Sequence, residues 1–307
     1  MKACVTGGAG FIGSHLVERL LREGHEVVVL DDLSTGRREH LDAGVSRLRV
    51  QVGDVRDASA VAEAVAGADV VFHLAAIASV ARSVDDPELV SDVNLQGTIR
   101  VLEACRAGGV RRFVLASSSA VYGEGQALPI REDAELRPAS PYAASKLAAE
   151  AYAAAYAGSY PVETVSLRFF NVYGPRQPLD GQYGAVIPLF IEAMRSGREP
   201  VLHGDGSQTR DFTYVEDVVD AIVRAGSTDD LPPGPCNLGA GVETAVRALA
   251  DEIAQLVDYA GPVRESAPRP GDLRHSVACC ERIEQWLGWR AATSLREGLR
   301  ATIAVGA

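Results

Sequence analysis

Tyr142 and Lys146 stand four residues apart in SPYAASKLAAE (Ser140–Glu150), a stretch otherwise dominated by small, helix-favouring residues. At that spacing the two side chains share one helix face. Nothing local asks for a phenol and an ammonium there. A phenol titrates near ~10 in water, so serving as a base at neutral pH requires about 4 kcal/mol of preferential stabilisation of its anion. A neighbouring ammonium supplies part of that. The pair is suited to taking a proton from a hydroxyl, the proton half of an alcohol oxidation. VTGGAGFIGSH (Val5–His15) offers a place for the electron half. Gly7, Gly10 and Gly13 would let the backbone approach a pyrophosphate while the next helix turns its free N–H groups and dipole toward the anion. An oxidised nicotinamide held there adds a second cation beside the phenol. Tyr142 would then accept the proton while the carbon beneath gives up hydride, and Lys146 would also hydrogen-bond the nicotinamide ribose.

These residues need a scaffold, and the first half of the chain predicts one. KACVTGG, HEVVVLDD, LRVQVGD, DVVFHLAA, RRFVLASS and VETVSLRFF read as buried strands. Helical stretches separate most of them: Phe11 to Gly24, Ala58 to Ala66, Pro87 to Ala107, and a helix beginning at Tyr142. The alternation predicts an α/β fold, a Rossmann-type doubly wound parallel sheet, with a dinucleotide-binding domain over 1–170. The second strand ends in Asp31 and Asp32, about twenty residues beyond the glycines. Asp31 can accept both adenosine ribose hydroxyls and would repel a 2′-phosphate, which favours NAD over NADP; Arg37 and Arg38 just beyond weaken that preference. GDVRD puts Asp54 and Val55 where an adenine edge would lie. After Phe170 glycine, proline and polar residues dominate, followed by helices at AVIPLFIEAMRSG, Val215 to Gly226, Glu243 to Val257 and Leu295 to Ala304, and a short strand at PVLHG. This half, 171–307, reads as a smaller α/β substrate domain whose segments partly return to the large sheet.

Composition narrows the partners. With 41 acidic against 30 basic residues the net charge is −11, which argues against nucleic acid and anionic membrane. A polyanionic ligand must be met by local arginines and helix ends. The five cysteines (Cys4, Cys105, Cys236, Cys279, Cys280) lack metal-ligand spacing, so no metal is expected, and adjacent Cys279 and Cys280 read as small buried residues. No apolar run reaches ~20 residues and the N-terminus has a strand pattern, so a soluble, reduced, cytoplasmic protein is expected.

TGGAGFIG, HLAA, SSSAVYG, YAASK, RFFNVYGPRQ, GDGSQTRDFTYVEDV and RPGD, in this order along nearly the whole chain, resemble the extended short-chain dehydrogenase/reductase family, in its nucleotide-sugar epimerase/dehydratase branch. The resemblance implies tightly bound NAD, with Gly7, Gly10, Phe11, Ile12, Gly13, Leu74, Ala75 and Ala76 among its contacts and Phe169 or Phe170 packed near the nicotinamide. It implies that Ser118, four residues before the tyrosine of VYG, bridges the reacting oxygen and Tyr142; Ser117 and Ser119 lie one register off, and Ser119 is also a candidate sugar contact. Two absences choose the chemistry. A 4,6-dehydratase of this family carries Asp-Glu directly after that hydroxyl residue, and a related decarboxylase keeps the glutamate; here the positions are Ser119 and Ala120. Elimination then lacks its acid and base. Oxidation at one carbon and return of hydride to the other face remain, the expectation being 4-epimerisation of a UDP-hexose.

The same resemblance implies a leash for the nucleotide: Asn171 at the diphosphate or sugar, Ala185 and Val186 with Val201 and His203 at the uracil, and Arg210, Arg269 and Asp272 at the diphosphate and ribose. Arginine suits this because its planar fork meets phosphate oxygens bidentately. Ser276 falls at a gatekeeper position whose small side chain would admit N-acetylated as well as plain hexoses. A uronic acid would want a cation near C6; Arg176 is a possible supplier, but Pro178 sits where uronate epimerases often offer arginine. Alternatives are a nucleotide-sugar keto reductase that exchanges cofactor and a redox sensor without chemistry. Relatives usually dimerise through a four-helix bundle, here expected from helices around Val90–Ala107 and Tyr142–Ala157.

Overall fold

The inner strands of the first half are runs of apolar, mostly β-branched residues, and in the computed structural model, which describes residues 1–42, 44–179, 185–232, 234–268 and 273–305, they are buried on both faces. The chain runs β1 (Lys2–Thr6), α1 (Phe11–Arg22), β2 (Glu26–Asp31), β3 (Leu48–Val52), α2 (Ala58–Val65), β4 (Val70–His73), α3 (Val80–Asp85), α4 (Pro87–Ser91), α5 (Gly97–Gly108), β5 (Arg112–Ser118), α6 (Pro141–Ser159) and β6 (Glu163–Phe169). Alternate residues feed two cores, as a two-residue side-chain period demands. Val5, Val29, Phe72, Val114 and Leu167 join one; Cys4, Val28, Leu30, Val71 and Leu115 join the other. The first core is roofed by α1 and by a later helix over Val215–Ser227; the second by α2, α5 and α6.

The second half contributes β7 (Asn171–Tyr173), α7 (Val186–Arg195), β8 (Val201–His203), β9 (Thr209–Tyr214), α8 (Val215–Ser227), β10 (Cys236–Leu238), β11 (Glu243–Ala245), α9 (Val246–Leu256), β12 (Arg264–Ser266), α10 (Glu281–Leu287) and α11 (Leu295–Val305). Strand β10 pairs parallel to β6 and completes a seven-stranded sheet of order β10-β6-β5-β4-β1-β2-β3. All its pairings are parallel, and the reversal between β1 and β4 creates the crevice at which open α/β sheets bind ligands. Helix α8 also returns to the large sheet: a Cβ at Gly226 would come within 2.5 Å of the Phe72 ring. The remaining strands form small sheets, β11-β9-β7 and β12-β8, around their own core of Ile187, Phe190, Leu202, Leu249 and Leu299.

Three expected elements are altered. LRVQV, expected as a buried strand, is instead the edge strand β3 with Arg49 and Val52 exposed, because only β2 flanks it. The helix expected from Glu243 starts only at Val246, because Glu243–Ala245 pairs antiparallel with Thr209–Asp211 and is held extended. The helix expected over Pro87 to Ala107 is interrupted by a π-helical turn at Asp92–Gln96, a distortion common near functional sites.

Candidate active site

Helix α6 begins with its own start signal. The Ser140 hydroxyl accepts the Ala143 N–H (3.1 Å), and Pro141, which lacks an N–H, occupies the first turn. This cap fixes where Tyr142 emerges, with Lys146 one turn on. The strand that faces them is β5. Its last residue, Ser118, hydrogen-bonds the half-buried Tyr142 phenol. The buried Lys146 Nζ donates to the Ala116 carbonyl (2.9 Å). The three side chains therefore meet at the carboxyl end of the central sheet. Ser117 and Ser119 divide differently: Ser117 points into the core and donates to Glu150, and Ser119 opens the 3-10 turn after β5.

Electrostatics depart from the sequence expectation at this point. Burial pushes the Tyr142 phenol up, opposed by the Ser118 hydrogen bond. Burial also pulls Lys146 down to about 8, opposed by the carboxylate of Glu150. The protein's own groups thus leave Tyr142 a poor base. A cationic ligand group bound beside the phenol would oppose that burial.

Beneath the pair lies a polar chain that the motifs do not reveal. Thr98 donates its hydroxyl proton to the Asn94 carbonyl (2.6 Å), so it accepts from His73 Nε2 (2.9 Å), which leaves His73 Nδ1 to accept from Thr6 (2.7 Å). Burial holds His73 at about 3, hence neutral, in keeping with that tautomer. Asn94, in the π-helical turn, donates to Ser145 Oγ (3.1 Å), and Ser145 donates to the Tyr142 carbonyl (2.8 Å). The Asn94 side chain also clasps both the N–H and the C=O of Ile77. The segment that follows β4, Leu74, Ala75 and Ala76 up to Ile77, is thereby tied to the start of α6.

The glycine turn is as tight as its composition suggests. Gly7 has φ +70°, and a Cβ there would lie 2.7 Å from Ala75 N; one at Gly13 would overlap the Gly7 carbonyl oxygen. Gly10 caps α1, and Phe11 and Ile12 form its first turn, half-buried. Asp31 is buried and already engaged, accepting N–H groups from Ala9 and Leu33 (2.9 Å each); burial raises its pKa and those two bonds oppose the rise. It is a clasp of the glycine turn, with lone pairs left for a further donor. Asp32 is exposed and bonds Ser34. Asp54 is gripped by Arg56 (2.6 Å), which lowers its pKa, and Val55 packs against Gly97. The cradle that a Cβ would fill, the helix N-terminus and the Asp31 carboxylate together fit a dinucleotide.

Phe169 ends β6 opposite Ser118, while Phe170 turns the other way into a cluster with Tyr122 and Ile130. Asn171 is exposed at the start of β7. Ala185 caps α7 and Val186 begins it. Val201 and His203 lie on β8, where His203 Nδ1 contacts Ser266 Oγ (2.9 Å). His203 also lines an open cleft of about 840 Å³ with Gln208, Ser266 and Arg274. The other uracil candidates do not line it. Arg210, on β9, donates to the Thr209 carbonyl among its interactions. Ser276 is buried. Arg269 and Asp272 lie outside the described residues. Arg176 has its guanidinium drawn onto α1, at Glu18 (2.8 Å).

Residues 3–239 match the NAD dependent epimerase/dehydratase family. The chain belongs to that family. It is 45% identical to the UDP-glucose 4-epimerase of Mycolicibacterium smegmatis, over 99% of this chain and 97% of that one. Among solved structures, the UDP-glucose 4-epimerase of Thermus thermophilus in complex with NAD superposes with a TM-score of 0.90 at 41% identity, over 99% of this chain and 98% of that one. The UDP-N-acetylglucosamine 4-epimerase of Methanobrevibacter ruminantium gives 0.95 at 36% identity, over 99% and 97%. Family membership spans more than one reaction, so the residues after Ser118 matter: Ser119 and Ala120 place no acid and no base there.

Proposed function

We propose that this chain catalyses the NAD-dependent 4-epimerisation of a UDP-hexose, UDP-glucose to UDP-galactose and back, through a 4-keto sugar. The observation that carries it is the convergence of Ser118, Tyr142 and Lys146 at the carboxyl end of the sheet, with no acid–base pair after Ser118. NAD is the family's cofactor, and when bound it takes up hydride and gives it back, so none is consumed. The glycine turn and Asp31 would hold it, with Asp54, Val55 and Leu74–Ala76 along its length. Ser118 would orient the sugar hydroxyl toward the phenol, and Tyr142 would accept the proton and return it. Lys146 would keep its charge beside the ribose. We assign the large sheet to the dinucleotide and the small sheets to the UDP-sugar, with Asn171, Ala185, Val186, Val201, His203, Arg210, Arg269 and Asp272 as its contacts.

The small, buried Ser276 supports acceptance of N-acetylated sugars as well. The uronate reading gains no support from Arg176, whose guanidinium lies against Glu18 on α1 (2.8 Å). No helix among the described residues is long and apolar enough to cross a membrane. All five cysteines are free thiols, which supports a reducing, cytoplasmic setting. We further propose a homodimer through α5 and α6, where Tyr152 and Tyr160 stay exposed; light scattering at twice the 32.4 kDa chain mass tests it. Function is tested by incubating the purified protein with UDP- and dTDP-sugars and following C4 by NMR. Inversion without added cofactor is expected. Net reduction that consumes NADPH, with no inversion, overturns the reading in favour of a keto reductase.

A further inference from the structure

Glu150 and Arg168 form an ion pair in which both side chains are almost wholly buried. The contact is bidentate: Nη2 to Oε2 at 2.7 Å and Nε to Oε1 at 3.0 Å. Ser117 donates to the same carboxylate. Beyond the pair, Arg168 Nη1 donates to the Tyr122 hydroxyl (2.9 Å) and to the Glu132 carbonyl (3.2 Å). Its guanidinium lies 4.9 Å from the centre of the Tyr122 ring, and Tyr122 in turn donates to Asn237 Oδ1 (2.6 Å). One buried pair thus ties together α6, β5, the turn after β5, β6 and β10.

Each anchor is next to a residue of the proton relay or its wall. Ser117 precedes Ser118, Arg168 precedes Phe169, and Glu150 follows Lys146 by one helical turn. A buried ion pair is a weak way to stabilise a fold, since desolvation cancels most of the attraction and apolar side chains of similar volume pack as well. What it does supply is fixed geometry and a fixed charge.

Resting on the redox reading of Tyr142 and Lys146, we infer that Glu150, clamped by Arg168 and Ser117, is a positioning residue of the proton relay: it locks the Tyr142–Lys146 face of α6 onto the ends of β5 and β6, and it sets a negative charge facing the Lys146 ammonium from within the core. The titratable and charged groups around that ammonium are Tyr142 and Glu150 on its own helix, neutral His73 on β4, and Arg168 on β6 behind Glu150. Glu150 is the one of these that favours a charged lysine, against the burial that pulls Lys146 down to about 8.

The test uses full-length, NAD-loaded protein carrying Glu150→Gln, and a second variant, Glu150→Gln with Arg168→Met, that leaves no unpaired guanidinium. For Glu150→Gln, retained NAD and a KM within about twofold are expected, with kcat reduced about tenfold or more. The alkaline limb of kcat should move down by about one pH unit, because Lys146 loses its proton sooner. The double variant should recover thermal stability but keep the displaced limb. An unaltered kcat and pH profile in Glu150→Gln, or recovery of both together with stability in the double variant, overturns the inference. Should Glu150→Gln fail to fold, the double variant decides alone. Tyr142→Phe run in parallel separates the two readings. Normal turnover there brings down the redox reading itself, whereas an inactive Tyr142→Phe beside a normal Glu150→Gln brings down only this one.

Discussion

Replacing Lys146 by methionine should make the cofactor-free protein more stable while abolishing its activity. The amine is buried, and burial lowers its pKa from 10.5 to about 8. At 1.36 kcal/mol per tenfold change in acidity, holding the charge inside costs about 3 kcal/mol. Methionine has a similar length and no charge. It forfeits the charge-assisted hydrogen bond to the Ala116 carbonyl, worth about 2 kcal/mol. Glu150 is not stranded, because Arg168 remains its partner. A net gain of about 1 kcal/mol near pH 7 corresponds to a Tm higher by about 1.5 °C for a chain of this size. The sign follows from linkage: below pH 8 lysine is protonated in both folded and unfolded states and the native protein bears the full penalty. Between about 8 and 10.5 the unfolded chain binds the extra proton, so wild-type stability rises with pH and the advantage of the variant shrinks. Calorimetry at pH 7 and pH 9.5 on NAD-stripped samples measures this; stripping matters because bound dinucleotide would stabilise the wild type by mass action. Turnover in the NAD-loaded variant should fall by about a hundredfold or more. A variant less stable than wild type at pH 7, or a stability difference independent of pH, refutes the reasoning.

Tyr142→Phe removes only the proton carrier, so folding and bound NAD should persist while kcat drops by roughly a hundredfold to ten-thousandfold, read by a coupled assay of C4 inversion. Gly13→Ala drives a Cβ into the Gly7 carbonyl oxygen; loss of co-purifying NAD and a stability cost of about 2 kcal/mol or more are expected by cofactor quantitation and urea melts. Ser276→Tyr should preserve turnover of UDP-glucose and suppress that of UDP-N-acetylglucosamine, and equal turnover of both would remove Ser276 as a determinant of sugar size.

What the chain dictates locally is readable from its residues. Runs such as VVVL and VVFH, short, rich in β-branched residues and bounded by polar or turn residues, read as strands covered on both faces, and the glycine turn leaves no room for a Cβ at Gly7 or Gly13. Ser140 and Pro141 announce the start of α6, and the four-residue interval then places Tyr142 and Lys146 on one face. All of these depend on neighbours within a few positions. Tertiary structure decides the rest. Nothing in TRDF or GVETA says that they pair, yet that pairing turns the expected start of a helix into β11. Arg168 and Glu150 are ordinary as letters and become a buried pair only when β6 is laid beside α6. Asp31 is legible as a carboxylate at a strand end, and its bond from the Leu33 N–H is local, but the Ala9 N–H reaches it only because the fold lays the glycine turn against β2. The direction of the Tyr142 and Lys146 shifts is also beyond the sequence, which shows charges but not the loss of water around them. Desolvation is a property of the assembled interior, and here it outweighs the Ser118 hydrogen bond at Tyr142 and the Glu150 charge at Lys146.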